Sequence, residues 1–239
     1  ELADRYNIFL IEDAAQAIDA YYEDKHLGTF GHLAALSFHD TKNIHCGEGG
    51  ALLINDEKFF TKAEILREKG TNRQQFLRGE VDKYTWVSQG SSYLPSELNA
   101  AFLLHQLEFV KELTRRRINI WNLYFESLLP LSNSGKIEIM SKSPDFIRGN
   151  GHLFFIKLKD IDHRQELIEF LKERKIYAVF HYVPLHSATG GMLYGEFVGK
   201  DIYTTPESER LLRLPMFYDL DDSMVNMVVE SIFDFYSEK

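Results

Sequence analysis

Three short clusters hold the residues best suited to chemistry: Asp13-Ala-Ala-Gln16, Ser37-Phe-His39-Asp-Thr-Lys42 and Gly47-Glu-Gly-Gly50. A carboxylate, an amide, a hydroxyl, an imidazole and an amine in one crevice can bind a polar ligand. The amine can also attack a carbonyl carbon. The first two clusters follow or include the ends of apolar runs, Ile8–Ile11 and Leu33–Phe38, that read as buried parallel strands. In parallel α/β sheets, ligands sit beyond the carboxyl ends of the strands, where these residues fall. Lys42 then lies among apolar strands and small residues, where partial desolvation favours a neutral, nucleophilic amine. Each residue alone has a plainer reading. An Asp after a strand is commonly an N-cap and a lone lysine is commonly a solvated charge. His39 can be a half-buried core residue, and Gly47–Gly50 can be only a tight turn. From spacing alone the crevice has no named ligand.

The elements that must position these residues follow from the hydrophobic pattern. Ala51–Ile54 is a third buried run of the parallel-strand type. A helix follows Asp56, with Phe60, Ala63, Ile65 and Leu66 at helical spacing and Gly70 as its C′ residue. Residues 70–93 read as one long polar loop dotted with aromatics, a length that is often functional. A single helix is expected from Pro95–Ser96 to about Leu128, with Leu103, Leu104, Leu107, Val110 and Leu113 inward and Trp121 and Tyr124 continuing the stripe. Pro130 and the stretch Ser132–Gly135 break it. Beyond lie a strand over His152–Leu158, a helix over Arg164–Arg174 and a strand over Ile176–Phe180. Helices over Glu207–Leu212 and Ser223–Tyr236 finish the chain. The pattern predicts an α/β piece over residues 1–130, including the long helix, and a smaller α+β domain over 131–239.

Composition excludes several function classes. The chain has 239 residues, 44% apolar and 26% charged, which supports a packed core and argues against disorder. Lys+Arg at 27 against Asp+Glu at 36 gives a net charge of −9, the wrong sign for a nucleic-acid backbone binder. A single cysteine, Cys46, allows neither an internal disulfide nor a four-ligand zinc site and suits a reducing cytosol. No apolar run is long enough to span a membrane. His181 and His186 flank Pro184, but no third ligand is evident nearby, so no metal is expected. Arg115-Arg-Arg117 reads as a solvated helix face.

With these residues in place, the sequence resembles a known family. Ile11-Glu-Asp13-Ala-Ala-Gln16, Ser37-Phe-His-Asp-Thr-Lys42-Asn and Gly47-Glu-Gly-Gly50 resemble the pyridoxal-phosphate sugar aminotransferases of the DegT/DnrJ/StrS family, of fold type I. The resemblance covers essentially the whole chain. It continues through Glu68–Arg73, Val81–Trp86, Gly90–Ser96, His181–His186 and Arg210–Pro215. It implies the C-terminal part of a fold-type I large domain plus a smaller α+β domain. The first residues look like a helix running into a strand, so the chain is expected to be the C-terminal portion of a longer protein.

The resemblance also implies roles. Lys42 would link covalently to pyridoxal 5′-phosphate and later shuttle a proton. Asp13 would pair with the pyridinium nitrogen, which keeps the ring able to accept electrons. Gln16 would contact the phenolic oxygen and Ser37 the phosphate, with His39 close by. The sugar 3-dehydratase relatives carry histidine at the lysine position, so Lys42 favours transamination. Many members carry an asparagine where Leu94 stands, given across a dimer interface to the phosphate, and Ser91 or Ser92 would replace it here. An N-terminal portion of the family supplies a further phosphate-binding turn and an aromatic residue that stacks on the cofactor ring. On the substrate side, Arg73, Tyr84 and Trp86 (with Arg78 and Lys83 on the same loop) suit a nucleotide-sugar diphosphate. His181 and His186 would line the sugar pocket.

The implied activity is transfer of an amino group from glutamate to C4 of a dTDP-4-keto-6-deoxyhexose by a homodimer, for surface polysaccharide synthesis. The rival readings are a non-catalytic remnant, and an isomerase or dehydratase on the same scaffold.

Overall fold

The computed structural model describes residues 1–238, which fold as two compact units. The first comprises Glu1–Glu112 with Asp145–Asn150, and the second Leu113–Pro144 with the chain from Gly151 onward. The sequence pattern changes texture near residue 130, whereas the units divide earlier, inside a helix, and six later residues return to the first unit.

The first unit is built on a three-stranded sheet in the order Ile11–Asp13, Leu33–Ser37, Gly50–Ile54. The first pair is parallel, with Asp13 opposite Ala35. The second pair is antiparallel, with Ser37 opposite Gly50, which corrects the expectation of a third parallel strand. The reason is the connection. The residues between Ser37 and Gly50 form no crossover helix, so the chain can only turn back on itself. The turn is closed by Phe38 N–H donating to Gly49 O at 2.8 Å and Cys46 N–H donating to Phe38 O at 2.9 Å. The run Ile8–Ile11 is not buried as expected: the strand is Ile11–Asp13, at the sheet edge, and Ile8 and Ile11 are 59% and 65% exposed.

Glu12 anchors the return from the first strand to the second. Its carboxylate accepts N–H bonds from Gly28, Phe30 and Gly31 at 2.8, 2.6 and 2.6 Å. Partial burial pushes its pKa up, but the three backbone donors outweigh it and hold the group below the ordinary value. Asn55 donates to Gly28 O and Gly31 O from the opposite side, at 3.0 and 2.8 Å. A second small antiparallel sheet joins Lys25–His26, Tyr21–Tyr22 and Ile147–Arg148 in that order.

Segment 70–93 is not one unstructured loop. It contains a helix over Arg73–Leu77 and bridges Glu68 to Ser92 and Thr71 to Trp86. The expected single long helix is two, Glu97–Glu108 and Val110–Asn133, broken at Phe109. The earlier helix starts at Ser96, whose hydroxyl accepts the Asn99 N–H at 3.2 Å, and buries no residue. Leu104 and Leu107 of the expected stripe are 61% and 36% exposed. The later helix runs through Pro130. Proline there removes one hydrogen bond in the last turn only, and Gly135, at φ +72°, ends the helix as Lys136 N–H bonds back to Leu131 O.

The second unit is a four-stranded antiparallel sheet in the order Glu138–Ile139, Phe155–Lys157, Leu211–Arg213, Val179–Phe180. Leu211–Arg213 is a strand that the sequence pattern merges into a helix. The helix is instead Thr204–Arg210. Helices Ile161–Glu173 and Asp222–Ser237 start at Asp160 and Asp221, whose carboxylates accept the N–H of His163 and Met224. They pack with the long helix over a core that includes Tyr124, Leu128, Phe154, Ile156, Leu167, Leu171, Leu212 and Ile232. Among the described residues no helix is long and apolar enough to cross a membrane.

Candidate functional site

Two parallel strands end side by side in the first unit, and the candidate residues follow from their register. Asp13 closes the first strand opposite Ala35, and Ser37 closes the second two residues further on. Both therefore sit at the carboxyl edge of the sheet. The 38–49 connection that carries His39 and Lys42 emerges from the same edge.

Asp13 is exposed, and its Oδ1 accepts the Ala15 N–H at 3.1 Å, which fixes the carboxylate over the turn that follows. No helix follows Asp13, so it is not an N-cap, and its other oxygen remains available. Gln16 is exposed at the end of that turn. Ser37 Oγ is half-buried and accepts the His39 N–H at 3.4 Å. The Lys42 N–H donates to His39 O at 2.9 Å, closing a tight 39–42 turn. The half-buried Lys42 side chain makes no hydrogen bond or ion pair among the described residues. His39 is engaged by its own turn. Its Nδ1 accepts the Thr41 N–H at 3.2 Å and lies 2.9 Å from both Thr41 Oγ1 and Asp40 Oδ1, while Nε2 is 3.7 Å from Glu48.

One residue that sequence reasoning missed ties the two loops together. Asn150 is buried at 6% exposure, and its amide donates to Gln16 O and Ile18 O, both at 2.8 Å. Its main-chain carbonyl accepts the side-chain N–H of buried Asn43 at 3.0 Å. Gly149-Asn150-Gly151 reads locally as a turn, and nothing in that triplet signals partners more than a hundred residues away.

The other expected site residues divide by what holds them. Arg73 lies 2.5 Å from the buried Glu68 carboxylate, to which Gln74 also donates at 2.8 Å. Those bonds, Gln74 first and Arg73 next, keep Glu68 below its ordinary pKa. Arg78 pairs with Glu64 and Glu80, both at 2.7 Å. Tyr84 rests against Phe76 with ring centroids 5.7 Å apart, and Trp86 is 75% exposed. Ser91 is fixed through its backbone, accepting Lys69 N–H and donating to Leu66 O, each at 3.0 Å. Ser92 bridges Glu68, and Leu94 is exposed. Gly70 and Gly90 let these strands of chain touch: a Cβ on Gly70 would overlap the Ser88 carbonyl, and one on Gly90 would overlap the Gly70 backbone.

In the second unit His186 Nε2 lies 2.7 Å from Asp201 Oδ2, and Thr205 Oγ1 donates to the same oxygen at 2.5 Å. His181 Nδ1 is buried without a hydrogen-bond partner. Burial, and then the Arg213 charge, pushes its pKa below 6.5. Among the described residues no group of three or more His, Cys, Asp or Glu is placed to hold a metal ion.

The donor set of the first unit fits a protonated heteroaromatic phosphate. It offers a carboxylate acceptor, an amide donor, a hydroxyl and an unpaired amine along one edge. Comparison with known proteins points the same way. Residues 1–233 match the model of the DegT/DnrJ/EryC1/StrS aminotransferase family. An uncharacterized protein of Methanocaldococcus jannaschii is 31% identical over 251 residues, covering 100% of this chain and 62% of the relative. A DegT/DnrJ/EryC1/StrS aminotransferase of Brucella abortus superposes with a TM-score of 0.81 at 28% identity, over 98% of this chain and 59% of that one. The PLP form of the Streptococcus pneumoniae protein Spr1654 superposes with a TM-score of 0.81 at 22% identity, over 100% and 60%. The chain thus spans about 60% of the length of these relatives. Members of the matched family depend on pyridoxal phosphate.

Proposed function

Because this chain belongs to the DegT/DnrJ/EryC1/StrS aminotransferase family, we propose that it carries the lysine-bearing part of a pyridoxal-phosphate-dependent sugar aminotransferase. The observation that carries this reading is the parallel register of Ile11–Asp13 and Leu33–Ser37, which gives Asp13, Ser37 and the Lys42 turn a common edge. The substrate we assign is a dTDP-4-keto-6-deoxyhexose, with glutamate as donor. The motifs over 68–73, 81–86, 90–96, 181–186 and 210–215 resemble those of dTDP-4-amino-4,6-dideoxygalactose transaminase. The product then enters a surface polysaccharide such as lipopolysaccharide or enterobacterial common antigen.

When bound, pyridoxal phosphate supplies the electron sink that lets a C–H bond beside the substrate nitrogen ionise. Asp13, already oriented by the Ala15 N–H, accepts the ring N–H and holds that proton in place. Gln16 donates to the phenolic oxygen, and Ser37, with Ser91 or Ser92, holds the phosphate. His39 shapes the turn between Ser37 and Lys42. Lys42 Nζ would hold the cofactor covalently through its aldehyde group, and as a free amine it would serve as the base that carries a proton to and from the sugar's C4. Arg73, Tyr84 and Trp86 receive the nucleotide diphosphate, and His181 and His186 the sugar. Glutamate leaves as 2-oxoglutarate in one half-reaction, and the keto sugar takes up the nitrogen in the other. A homodimer, with the neighbour completing the phosphate end, is part of the proposal.

The test uses the complete natural protein. Lys42→Ala should abolish the cofactor's visible absorbance band and the borohydride-fixed label on the Lys42 peptide. An unchanged band removes Lys42 from this role. Release of 2-oxoglutarate with the keto sugar separates transamination from isomerase or dehydratase chemistry.

A further inference from the structure

The chain leaves the first unit at Glu112 and comes back for six residues, Asp145–Asn150, before leaving again. Those six residues are firmly held. Glu23 N–H donates to Phe146 O at 2.5 Å, Tyr21 and Tyr22 pair with Arg148 and Ile147, and the Arg148 guanidinium lies 3.8 Å from the Tyr21 ring centroid. What the excursion delivers is Asn150, and its hydrogen bonds reach two separate loops. Its two amide N–H bonds hold the backbone at Gln16 and Ile18, just past Asp13. Its main-chain carbonyl accepts from the side chain of Asn43, next to Lys42.

A buried residue held to one loop by its side-chain amide and to the other by its main-chain carbonyl is a rigid spacer, because moving either loop leaves polar groups unpaired at a cost of about 1–3 kcal/mol each. Asn150 bonds the 13–18 turn through its side-chain amide and the 39–43 turn through its main-chain carbonyl. We propose that Asn150 is a positioning residue: it sets the spacing between the Lys42 amine and the Asp13–Gln16 edge, and through it the geometry in which the aldehyde cofactor is held. The proposal rests on the reading that Lys42, Asp13 and Gln16 hold that cofactor. Asparagine fits the task because it donates twice and cannot ionise. An aspartate of the same shape would face two carbonyl oxygens with no donor.

The experiment compares wild type, Lys42→Ala, Asn150→Ala, Asn150→Asp and Asn43→Ala in the complete natural protein. Three quantities are read: pyridoxal phosphate affinity, the pH midpoint of the bound cofactor's visible band, and the rise in Tm on adding the cofactor. Asn150→Ala and Asn150→Asp should weaken affinity about tenfold, the loss expected when one or two buried hydrogen bonds go. They should also move the band's midpoint and shrink the cofactor-induced Tm rise. A purely structural role would lower Tm equally with and without cofactor and leave the midpoint alone, which overturns the proposal. If the Asn150 variants do not fold, Asn43→Ala decides, since it removes the clamp's other arm. A midpoint and affinity equal to wild type then overturn the proposal. Survival of the visible band in Lys42→Ala sinks the underlying assignment instead, so the two failures are told apart.

Discussion

His186 Nε2 sits 2.7 Å from Asp201 Oδ2, and the intervening fourteen residues form an excursion whose neck this contact closes. Thr205 donates to the same carboxylate through its hydroxyl at 2.5 Å and its backbone N–H at 3.2 Å. The Thr205 hydroxyl first, and then its N–H and His186, hold Asp201 below the ordinary value of 3.8. The sign follows from linkage: a depressed carboxyl contributes stability that is present above 3.8 and lost as pH falls through the folded value. The Tm difference between wild type and Asp201→Asn should therefore be constant above about pH 5 and shrink below 3.8. A difference that grows on acidification would show that the carboxylate is not stabilised in the folded state.

His181 shifts stability in the same direction as pH falls, although it is a base. It is a base whose folded pKa lies below 6.5, chiefly through burial and then through Arg213. The unfolded chain binds a proton more readily, so stability falls as pH drops from 6.5 toward the folded value. An NMR titration of the His181 imidazole should give a midpoint below 6.5, and Arg213→Gln should raise it part of the way. A midpoint at or above 6.5 contradicts the burial argument.

Gly70 tests the packing of the 70–93 segment. Its φ is +73°, and the Ser88 carbonyl occupies the space of a Cβ. Gly70→Ala meets both a left-handed backbone penalty of about 1–2 kcal/mol and the overlap. The segment should detach from the helix Phe60–Arg67. Limited proteolysis within 72–92 should then be faster, with only a small change in the melting of the second unit. Cleavage at the wild-type rate would mean the Gly70 and Gly90 contact does not hold the segment.

What the sequence discloses and hides follows a physical line. The common placement of Asp13, Ser37 and the turns carrying Gln16 and Lys42 is legible because strand ends are a local consequence of period and length. The helix N-caps at Asp56, Ser96, Asp160 and Asp221 depend on neighbours two or three residues away, so they are accessible to the same reasoning. Asn150 is not, because its partners are Gln16, Ile18 and Asn43. The antiparallel third strand hides for a related reason, since an apolar run such as Ala51–Ile54 carries no mark of its direction. The same limit hides Leu211–Arg213, whose apolar pattern extends the preceding helix until the sheet claims it. Arg73 is legible only in part: its guanidinium suggests a phosphate ligand, but nothing local announces that the buried Glu68 carboxylate takes bonds from Arg73 and Gln74.

Arg117 belongs to a triplet whose sequence predicts a solvated helix face, yet it is 8% exposed. Its Nε and an Nη donate to Gly151 O at 3.0 Å and His152 O at 2.6 Å. Burial lowers its pKa to about 10, so it remains charged at pH 7. Two effects oppose each other on mutation. Arg117→Met relieves the cost of a buried charge but loses two charge-assisted bonds, each worth about 1.5–3 kcal/mol. Arg117→Lys keeps the charge, hydrates more strongly and lacks the planar fork that reaches both carbonyls. Urea unfolding should therefore show Arg117→Lys at least as destabilised as Arg117→Met, with Arg117→Met down by about 1–3 kcal/mol. A lysine variant as stable as wild type would show that charge alone, rather than the fork spanning Gly151 and His152, is what this helix position requires.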